Sequence, residues 1–555
     1  MKTIFLTLFI TLFCTILLAQ SDPSWVWAKG GGTVNVDNGR SITTDNLGNT
    51  YITGFFNGEA TFGDLTITAP EGSTSSFVVK LDPNGNWLWA RSTTGVGSVT
   101  AYGITNDGNG NCYITGEFWG DASFGSIPLS HTGAAAVFVA MIDATGNWLW
   151  ATPAPGNDYG EDRGYGIDAD DSGNCYVTGY IKGNATFGMT TLNTNSGDDS
   201  AIFIAKITAG GVWEWAVSGG GSSWSDHATG YGVAYGGGHV YATGYFMGNP
   251  TFGEYNTTAI GQSDILLVAL NSNGGWEWAH GAGSNFSEVG NAVAADQYGN
   301  CYVTGYFNLT TTFGDLSLTA TGGQADAFVL KTDSSANCLW AVRAGGWGDD
   351  QGRGIAVDNA GNCYIAGQYL GESDFGSFTL PGHGTSLVDT FAAKLDTNGN
   401  WVWADGAGDV HEDWGFDVSC DDIGNCYVIG PYSEQETFGS IVITGNTADI
   451  FVAKHDSGVV SNEDQSIVSN HASCMKVYPN PFHRGDEISV NLKLDSHDTG
   501  SLKLFNIRGQ LVGSYSITAG SDNIRFRSDT LTPGIYFCQL QTRNVTEVKK
   551  LMLLQ

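Results

Sequence analysis

Basic residues are scarce. Only 23 Lys and Arg stand against 56 Asp and Glu in 555 residues, a net charge of −33 at neutral pH. The deficit lies between residues 20 and 473, where 12 basic residues face 49 acidic ones, whereas 474 to 555 carry 10 and 7. Such a field repels nucleic acid and anionic membranes and favours cations or basic partners; solvated acidic turns on a soluble exported chain would produce the same imbalance. Long apolar runs are missing after residue 18, so no membrane span is expected once the first segment is removed. The chain also lacks a G-x-S-x-G elbow, an H-E-x-x-H pair, a P-loop and any periodic His, and no enzyme is expected. Its 10 cysteines include no C-x-x-C and no Cys/His zinc spacing, so neither metal nor cofactor is expected.

What is present is a repeat. Trp-x-Trp-Ala begins at Trp25 and returns at Trp87, Trp148, Trp213, Trp276, Cys338 (which has lost the first Trp) and Trp401, at intervals of 62, 61, 65, 63, 62 and 63 residues. A fixed period of this size marks one structural unit stacked many times. Each unit holds a Gly-rich acidic loop, a Gly-Ile-like pair such as Gly354-Ile355, a turn such as 358–362 and a Cys-Tyr-Val-Thr-Gly-like run. A Phe-Gly pair, a Phe-Val-Ala-Lys-like run and a second turn follow. Short β-branched and aromatic runs bounded by such turns read as four antiparallel strands, A to D. Small residues on A and Trp on D suit the taper of sheets fanned around an axis, a β-propeller. The two Trp of each pair, two residues apart, are expected on one face of strand D.

The ends set the closure. The last unit supplies strands A to C, with no Trp-x-Trp-Ala after Asp456, while the first such element precedes any strand A. The expected fold class is therefore all-β: a seven-bladed β-propeller over 20–457 closed by the N-terminal strand, then a linker at 458–473 and a β-domain at 474–555. Met1 to Gln20, with the apolar run Ile4 to Leu18, reads as a signal peptide of about 19 residues. Cys112, Cys175, Cys301, Cys363 and Cys426 share one repeat position and are expected to be small core residues. Cys420 with Cys426, and Cys474 with Cys538, are candidate pairs.

Units such as 354–367 (Gly-Ile-Ala-Val-Asp-Asn-Ala-Gly-Asn-Cys-Tyr-Ile-Ala-Gly) and 389–396 resemble the bacterial SBBP β-propeller repeat, over residues 25 to 456. That resemblance implies the fold and little about ligand. Residues 142–150 resemble the tryptophan-docking repeats of quinoprotein dehydrogenases, but those have eight blades and a vicinal Cys pair; the Asp-x-x-Gly-Asn element is read as turn chemistry, its likeness to a calcium loop ending after one turn. At the far end, Tyr478-Pro479-Asn480-Pro481, Leu-Phe-Asn-Ile-Arg-Gly-Gln-Leu-Val around Gly509, Leu-Thr-Pro-Gly-Ile-Tyr-Phe around Gly534 and the closing Lys549-Lys550-Leu-Met-Leu-Leu resemble the type A C-terminal sorting domain of the type IX (Por) secretion system. The resemblance implies an immunoglobulin-like β-sandwich of Bacteroidota and export across both membranes to the cell surface or medium. The implied partners are the secretion machinery and a sortase-like peptidase.

The D-to-A loops should crowd one mouth of the ring, and five combine an aromatic with acids: Tyr159 with Glu161 and Asp162, Trp224 with Asp226, Phe286 with Glu288, Trp347 with Asp349 and Asp350, and Glu412 and Asp413 with Trp414. Aromatic platforms beside carboxylates suit sugar rings or cationic peptides. The alternative is that each aromatic caps the groove between units. His411-Glu412-Asp413, a single copy, reads as solvated surface. A monomer with a binding or scaffold role is the leading expectation, a carbohydrate- or peptide-binding adhesin the second, and a hydrolase or quinone enzyme the third.

Overall fold

The computed structural model describes residues 24–33, 37–108, 110–156, 160–194, 200–221, 225–382, 387–446 and 448–456, and, toward the C-terminus, 475–478, 482–492, 500–506, 511–518, 523–529, 531, 534–542 and 546–554. The expected signal peptide, the linker, Tyr159, Trp224, Pro479, Asn480, Pro481 and Gly509 lie outside them. The chain divides into two compact units, Ser21–Val459 and a second containing Val460–Gln555. Every regular element among the described residues is a β-strand.

Strands begin where the Asp-x-x-Gly-Asn turns end. In each turn the Asp closes a loop on its own backbone: Asp396 Oδ1 accepts from the N–H groups of Asn398 and Asn400 at 2.9 Å, and Oδ2 accepts from the Asn400 amide at 2.9 Å. Gly399 takes φ +81° there, where a Cβ would be strained. Asp82, Asp143, Asp170, Asp296, Asp333, Asp358 and Asp421 repeat the arrangement.

Between these turns the first unit forms seven antiparallel sheets with four strands per repeat. Their A strands are Asn38–Thr44, Ser98–Asn106, Arg163–Ala169, Ala228–Gly236, Val289–Ala295, Gln351–Val357 and Asp417–Cys420. Each A strand lies against the next, and Asp417–Cys420 lies against Asn38–Thr44. Glycine permits that approach: a Cβ on Gly166 would fall 2.9 Å from Tyr231 O, and one on Gly354 would fall 2.6 Å from Asp417 Cα. Strand D of the last sheet is Trp25–Gly31, paired antiparallel with Asp449–His455. The two strands are 420 residues apart in sequence and adjacent in space.

Strand D corrects one expectation. The register slips by one residue between the two Trp, so that Leu81 faces Trp87 and Lys80 faces Trp89, and the residue between them is unpaired. Because neighbours on a strand point to opposite faces, this bulge sends the two Trp to opposite sides of the sheet. The first packs edge-on against the Phe of its own unit's Phe-Gly pair, as Trp87 does on Phe62 with centroids 5.3 Å apart and Trp148 on Phe124 at 5.1 Å. The second reaches the next unit: Trp27 Nε1 donates to Pro83 O, Trp89 to Ala144 O, Trp150 to Ala209 O, Trp215 to Ser272 O, Trp278 to Ser334 O and Trp340 to Thr397 O, at 2.9 to 3.2 Å. Trp403 instead stacks on the buried His455 at 4.0 Å, the residue that Trp25 meets edge-on.

A short hairpin not expected from the sequence lies between strands B and C, as in Glu59–Phe62 with Leu65–Thr68, and touches strand D of the preceding repeat, for example Gly32 against Thr61. The repeated Cys residues are fully buried. Cys420 and Cys426 face each other across their hairpin, yet both are free; burial pushes both thiols up and away from the thiolate that disulfide exchange requires. Cys538 is likewise a free buried thiol, and Cys474 lies outside the described residues.

The second unit has a three-stranded sheet (Met475–Tyr478, Glu487–Leu492, Asn523–Arg527) and a five-stranded one (Phe482–His483, Thr546–Leu554, Gly534–Thr542, Gly500–Asn506, Leu511–Ile517). Met475, Ile488 and Val490 from the first share one core with Leu502, Leu504, Cys538, Leu540 and Leu551 from the second. Tyr478 closes the first strand, Gly534 opens its own, and Lys549 and Lys550 lie on the last.

Trp25–Gly31 is the fourth strand of the last sheet. Deleting residues 24–31 from the exported protein should lower its Tm by about 10 °C or more, since the lost Trp25 and Trp27 packing alone is worth roughly 6 kcal/mol. Calorimetry would read this; a Tm within 2 °C of the parent would mean the strand is peripheral.

Candidate functional site

The seven A strands share a defect. The register of strands A and B slips at Arg40, Tyr102, Tyr165, Tyr231, Asn291 and Arg353, each the extra residue between two paired neighbours. Phe416 holds the same place just before the seventh A strand, its N–H donating to Ile429 O at 2.8 Å. Opposite each bulge stands a glycine of strand B (Gly54, Gly116, Gly179, Gly244, Gly305, Gly367, Gly430), whose Cβ, if added, would collide with a carbonyl oxygen from the bulged segment. The repeated Thr-Gly pair thus has a mechanical reason. The Gly admits the bulge, and at Thr53, Thr115, Thr178, Thr243 and Thr304 the Thr hydroxyl donates to a strand C carbonyl at 2.7 to 2.9 Å.

A bulge re-aims a side chain, and these seven are re-aimed together. All of them line one cavity of about 880 Å³ bounded by the seven A strands. They form a circuit. Arg40 lies 4.9 Å from the Phe416 ring centroid and 5.8 Å from Tyr102; Tyr102 meets Tyr165 at 5.0 Å, and Tyr165 meets Tyr231 at 5.2 Å. Asn291 Nδ2 donates to Gly352 O at 2.7 Å, and Arg353 returns to Phe416 at 5.7 Å. Behind the circuit, Glu117 accepts from Tyr102 Oη at 2.9 Å and from Arg163 Nε at 2.7 Å, while Arg353 Nη2 donates to Gln368 Oε1 at 3.0 Å. Farther along the wall, Asp168 accepts from Tyr235 N, and Asp417 accepts from Ser41 Oγ and Ile42 N; burial pushes both carboxyls up to about 6. A cavity of this size with an aromatic rim and a few fixed polar groups has the makings of a small-ligand site.

The site residues expected from the loops fare differently. Asp162, Glu288, Asp350 and Asp413 are buried, and each accepts from a backbone N–H, while one oxygen of Asp162 and one of Asp413 are buried without a hydrogen bond among the described residues. Asp350 is representative: it accepts from Gly346 N at 2.8 Å, Leu370 N at 3.1 Å and Ser373 Oγ at 2.8 Å, tying the end of strand D to the end of strand B. Asp162 accepts from Lys182 N, Asp226 from Asn249 N, Asp413 from Ser433 N and Glu288 from Ser284 N. Asp37, not singled out from the sequence, does the same for Thr33 N. These carboxylates are latches, a correction to their reading as ligand contacts. Asp349 accepts from Ala325 N, and Glu412 is exposed. Phe286 and Trp347 are 51% and 80% exposed and lie outside the cavity lining. Two expected residues, also outside the lining, touch residues that line it: Glu161 pairs with Arg163 at 3.1 Å, and Trp414 lies 5.6 Å from the Phe416 ring. His411 pairs with Asp409 and Glu434, and among the described residues no group of three His, Cys, Asp or Glu is placed to hold a metal.

The sequence reading missed the bulge circuit. Its signal is there, as a variable residue between mostly small neighbours near the start of strand A (Gly39-Arg40-Ser41, Gly164-Tyr165-Gly166, Gly352-Arg353-Gly354), but the neighbours vary as well, as in Ala101-Tyr102-Gly103 and Gly415-Phe416-Asp417.

Residues 476–554 match the family model of the secretion system C-terminal sorting domain. The protein is accordingly exported by type IX secretion to the cell surface or extracellular medium, and its C-terminal part engages that system. Over 548 residues the chain is 22% identical to an uncharacterized WD repeat-containing protein of Acanthamoeba polyphaga mimivirus, an alignment that covers 80% of this chain and 39% of that protein. The chain thus spans about two fifths of the length of that relative. Among solved structures it is similar to a protein of unknown function from Bacteroides caccae (11% identity, 60% of this chain and 89% of that one, TM-score 0.28). A second is a fungal alcohol oxidase of the AA5 family in complex with copper (11%, 96% and 100%, TM-score 0.34).

The buried latches carry a pH signature. Burial pushes the carboxyls of Asp37, Asp162, Asp350 and Asp413 up to about 7. The folded protein therefore retains protons that the unfolded chain releases above about pH 4, and the stability this contributes, full below that pH, is lost as pH rises through 7. At the acid end, desolvation raises the Asp143 carboxyl, but the hydrogen bonds from Asn147 and Thr145 together outweigh it and hold the group down at about 2, so this turn loses its contribution only below pH 4. Tm measured by calorimetry should be higher at pH 5 than at pH 8 by on the order of 5 °C. The opposite order would mean that the latches are ionised in the fold.

Proposed function

We propose that the exported chain is a non-catalytic, SBBP-like seven-bladed β-propeller, closed by its N-terminal strand, that binds a small ring-bearing ligand, a saccharide, at the mouth of its axial cavity. A signal peptide at 1–19 and an immunoglobulin-like type A sorting domain at 474–555 deliver it, and a sortase-like peptidase cuts in the linker between. The observation that carries the binding reading is the coincidence of seven bulges, each opposite a glycine, that bring Tyr102, Tyr165, Tyr231 and Phe416 to one rim. A scaffold with no ligand needs small residues where its strands converge; it does not need a row of tyrosines turned into a cavity.

Two measurements test this. Removing residues 474–555 should leave the remaining protein in the periplasm; its appearance on the surface or in the medium would sink the delivery part. In a glycan screen on the full exported chain, Tyr165→Ala should weaken binding at least tenfold with little change in Tm, while Trp347→Ala should leave it unchanged, since base or sugar stacking on one aromatic is worth roughly 1 to 3 kcal/mol. The reverse ranking would move the site back to the loops.

A further inference from the structure

The cavity mouth collects a charge that the rest of the chain avoids. Between residues 20 and 473 there are five arginines, Arg40, Arg91, Arg163, Arg343 and Arg353, and three of them line the same cavity. Most of the other basic side chains are engaged elsewhere. Five lysines lie over the buried Tyr of strand B, such as Lys80 over Tyr51 at 4.8 Å and Lys331 over Tyr302 at 4.7 Å. Arg343 pairs with Asp326 at 2.8 Å, Arg91 donates to Gly146 O, and Arg163 is held between Glu117 and Glu161.

Arg40 and Arg353 differ. Neither has a carboxylate partner among the described residues, and the Nε of each is buried without an acceptor. They flank the Phe416 ring from 4.9 and 5.7 Å. Burial lowers the affinity of both for their protons, and the neighbouring Arg40 charge lowers that of Arg353 further. Two like charges, partly desolvated and close together, destabilise the ligand-free fold unless something of opposite sign completes them. The guanidinium fork is built for planar oxyanions. Next to it runs the Tyr102, Tyr165, Tyr231 row, which offers stacking faces.

Resting on the reading of the mouth as a saccharide site, we propose that its ligand is an acidic saccharide, its carboxylate or sulfate held between Arg40 and Arg353 and its ring laid along the tyrosines. The chain's negative field slows the approach of any polyanion, so selection falls on a short ligand with one or two acidic groups that fits the cavity, not on a polymer bound along its length. Arg163, already neutralised by two carboxylates, orients Tyr102 through Glu117 and contributes no free charge.

The test is titration calorimetry on the full exported chain with glucuronate and galacturonate oligosaccharides, the matched neutral oligosaccharides, a sulfated monosaccharide and inorganic sulfate. The expected result is binding of acidic saccharides at least tenfold tighter than of neutral ones, lost at least tenfold in both Arg40→Gln and Arg353→Gln and weakened by salt. The ligand-free Tm of these variants should equal or exceed the parent's, because each removes an unpaired buried charge. Equal affinity for neutral and acidic saccharides, with dependence on Tyr165 retained, would overturn the acidic ligand and leave the saccharide site standing; absence of any saccharide binding would overturn both. Inorganic sulfate binding as tightly as the sugars would overturn the ring recognition. A ligand-free Tm several degrees lower in both variants, with acidic-saccharide binding intact, would make the arginines structural and overturn their role.

Discussion

Seven strands pack so closely that a methyl group does not fit between neighbours at Gly166 or Gly354. Most else in the larger unit follows from that crowding. Strands this near one another cannot all run with regular pleat, and the extra residue in each A strand takes up the mismatch as a bulge. The bulged carbonyl then presses onto strand B, where only glycine is tolerated. The residue at the bulge is released from pairing on both sides. Its side chain is therefore free to vary, as Arg, Tyr, Asn or Phe, while the glycines around it are not. Geometry fixes the frame and leaves one position per repeat open to function.

At the opposite edge of each sheet the constraint is reversed: there is space to fill, and tryptophan fills it. The bulge in strand D gives a repeat such as that of Trp87 and Trp89 one Trp to close its own hairpin and another to donate a hydrogen bond into the next repeat's turn. Nearest-neighbour clamps of this kind make stability a sum over junctions, which leaves the junction at the chain's start as the vulnerable one. There Trp27 clamps Pro83 in the usual manner, and on the other side Trp403 stacks on the buried His455.

Much of this was legible in the sequence. The period, the four strands per repeat, the turns and the pairing of Trp25–Gly31 with Asp449–His455 follow from spacing and from which strand the last repeat lacks. The faces of the Trp pair were misread because a bulge inserts a residue without altering the motif; Trp-x-Trp looks the same whether or not x is paired. The loop acids were misread for a related reason. Asp162, Asp350 and Asp413 near aromatics in the sequence look like a polar binding surface, and nothing in a string of letters says that Asp350 accepts from Leu370 N–H. Conversely Arg40 and Arg353 were not singled out from the sequence, since only folding reveals that positions 313 residues apart flank the same phenylalanine.

Charge distribution separates what the fold needs from what it merely carries. The latching aspartates are buried, hydrogen-bonded to backbone and pushed toward neutrality, so the frame gains order from them with little buried charge. The turn aspartates Asp82, Asp143, Asp333 and Asp396 are held below the usual carboxylate range by the hydrogen bonds they accept, against the raising effect of burial. Arginines 40 and 353 fit neither pattern: they are partly desolvated and, among the described residues, have no carboxylate partner, at positions where the repeat elsewhere accepts a tyrosine or an asparagine. A frame indifferent to the residue at the bulge gains nothing from an unpaired charge there, and a chain this poor in basic residues has placed two of its few at that point. An oxyanion from outside the chain is the group that resolves the imbalance.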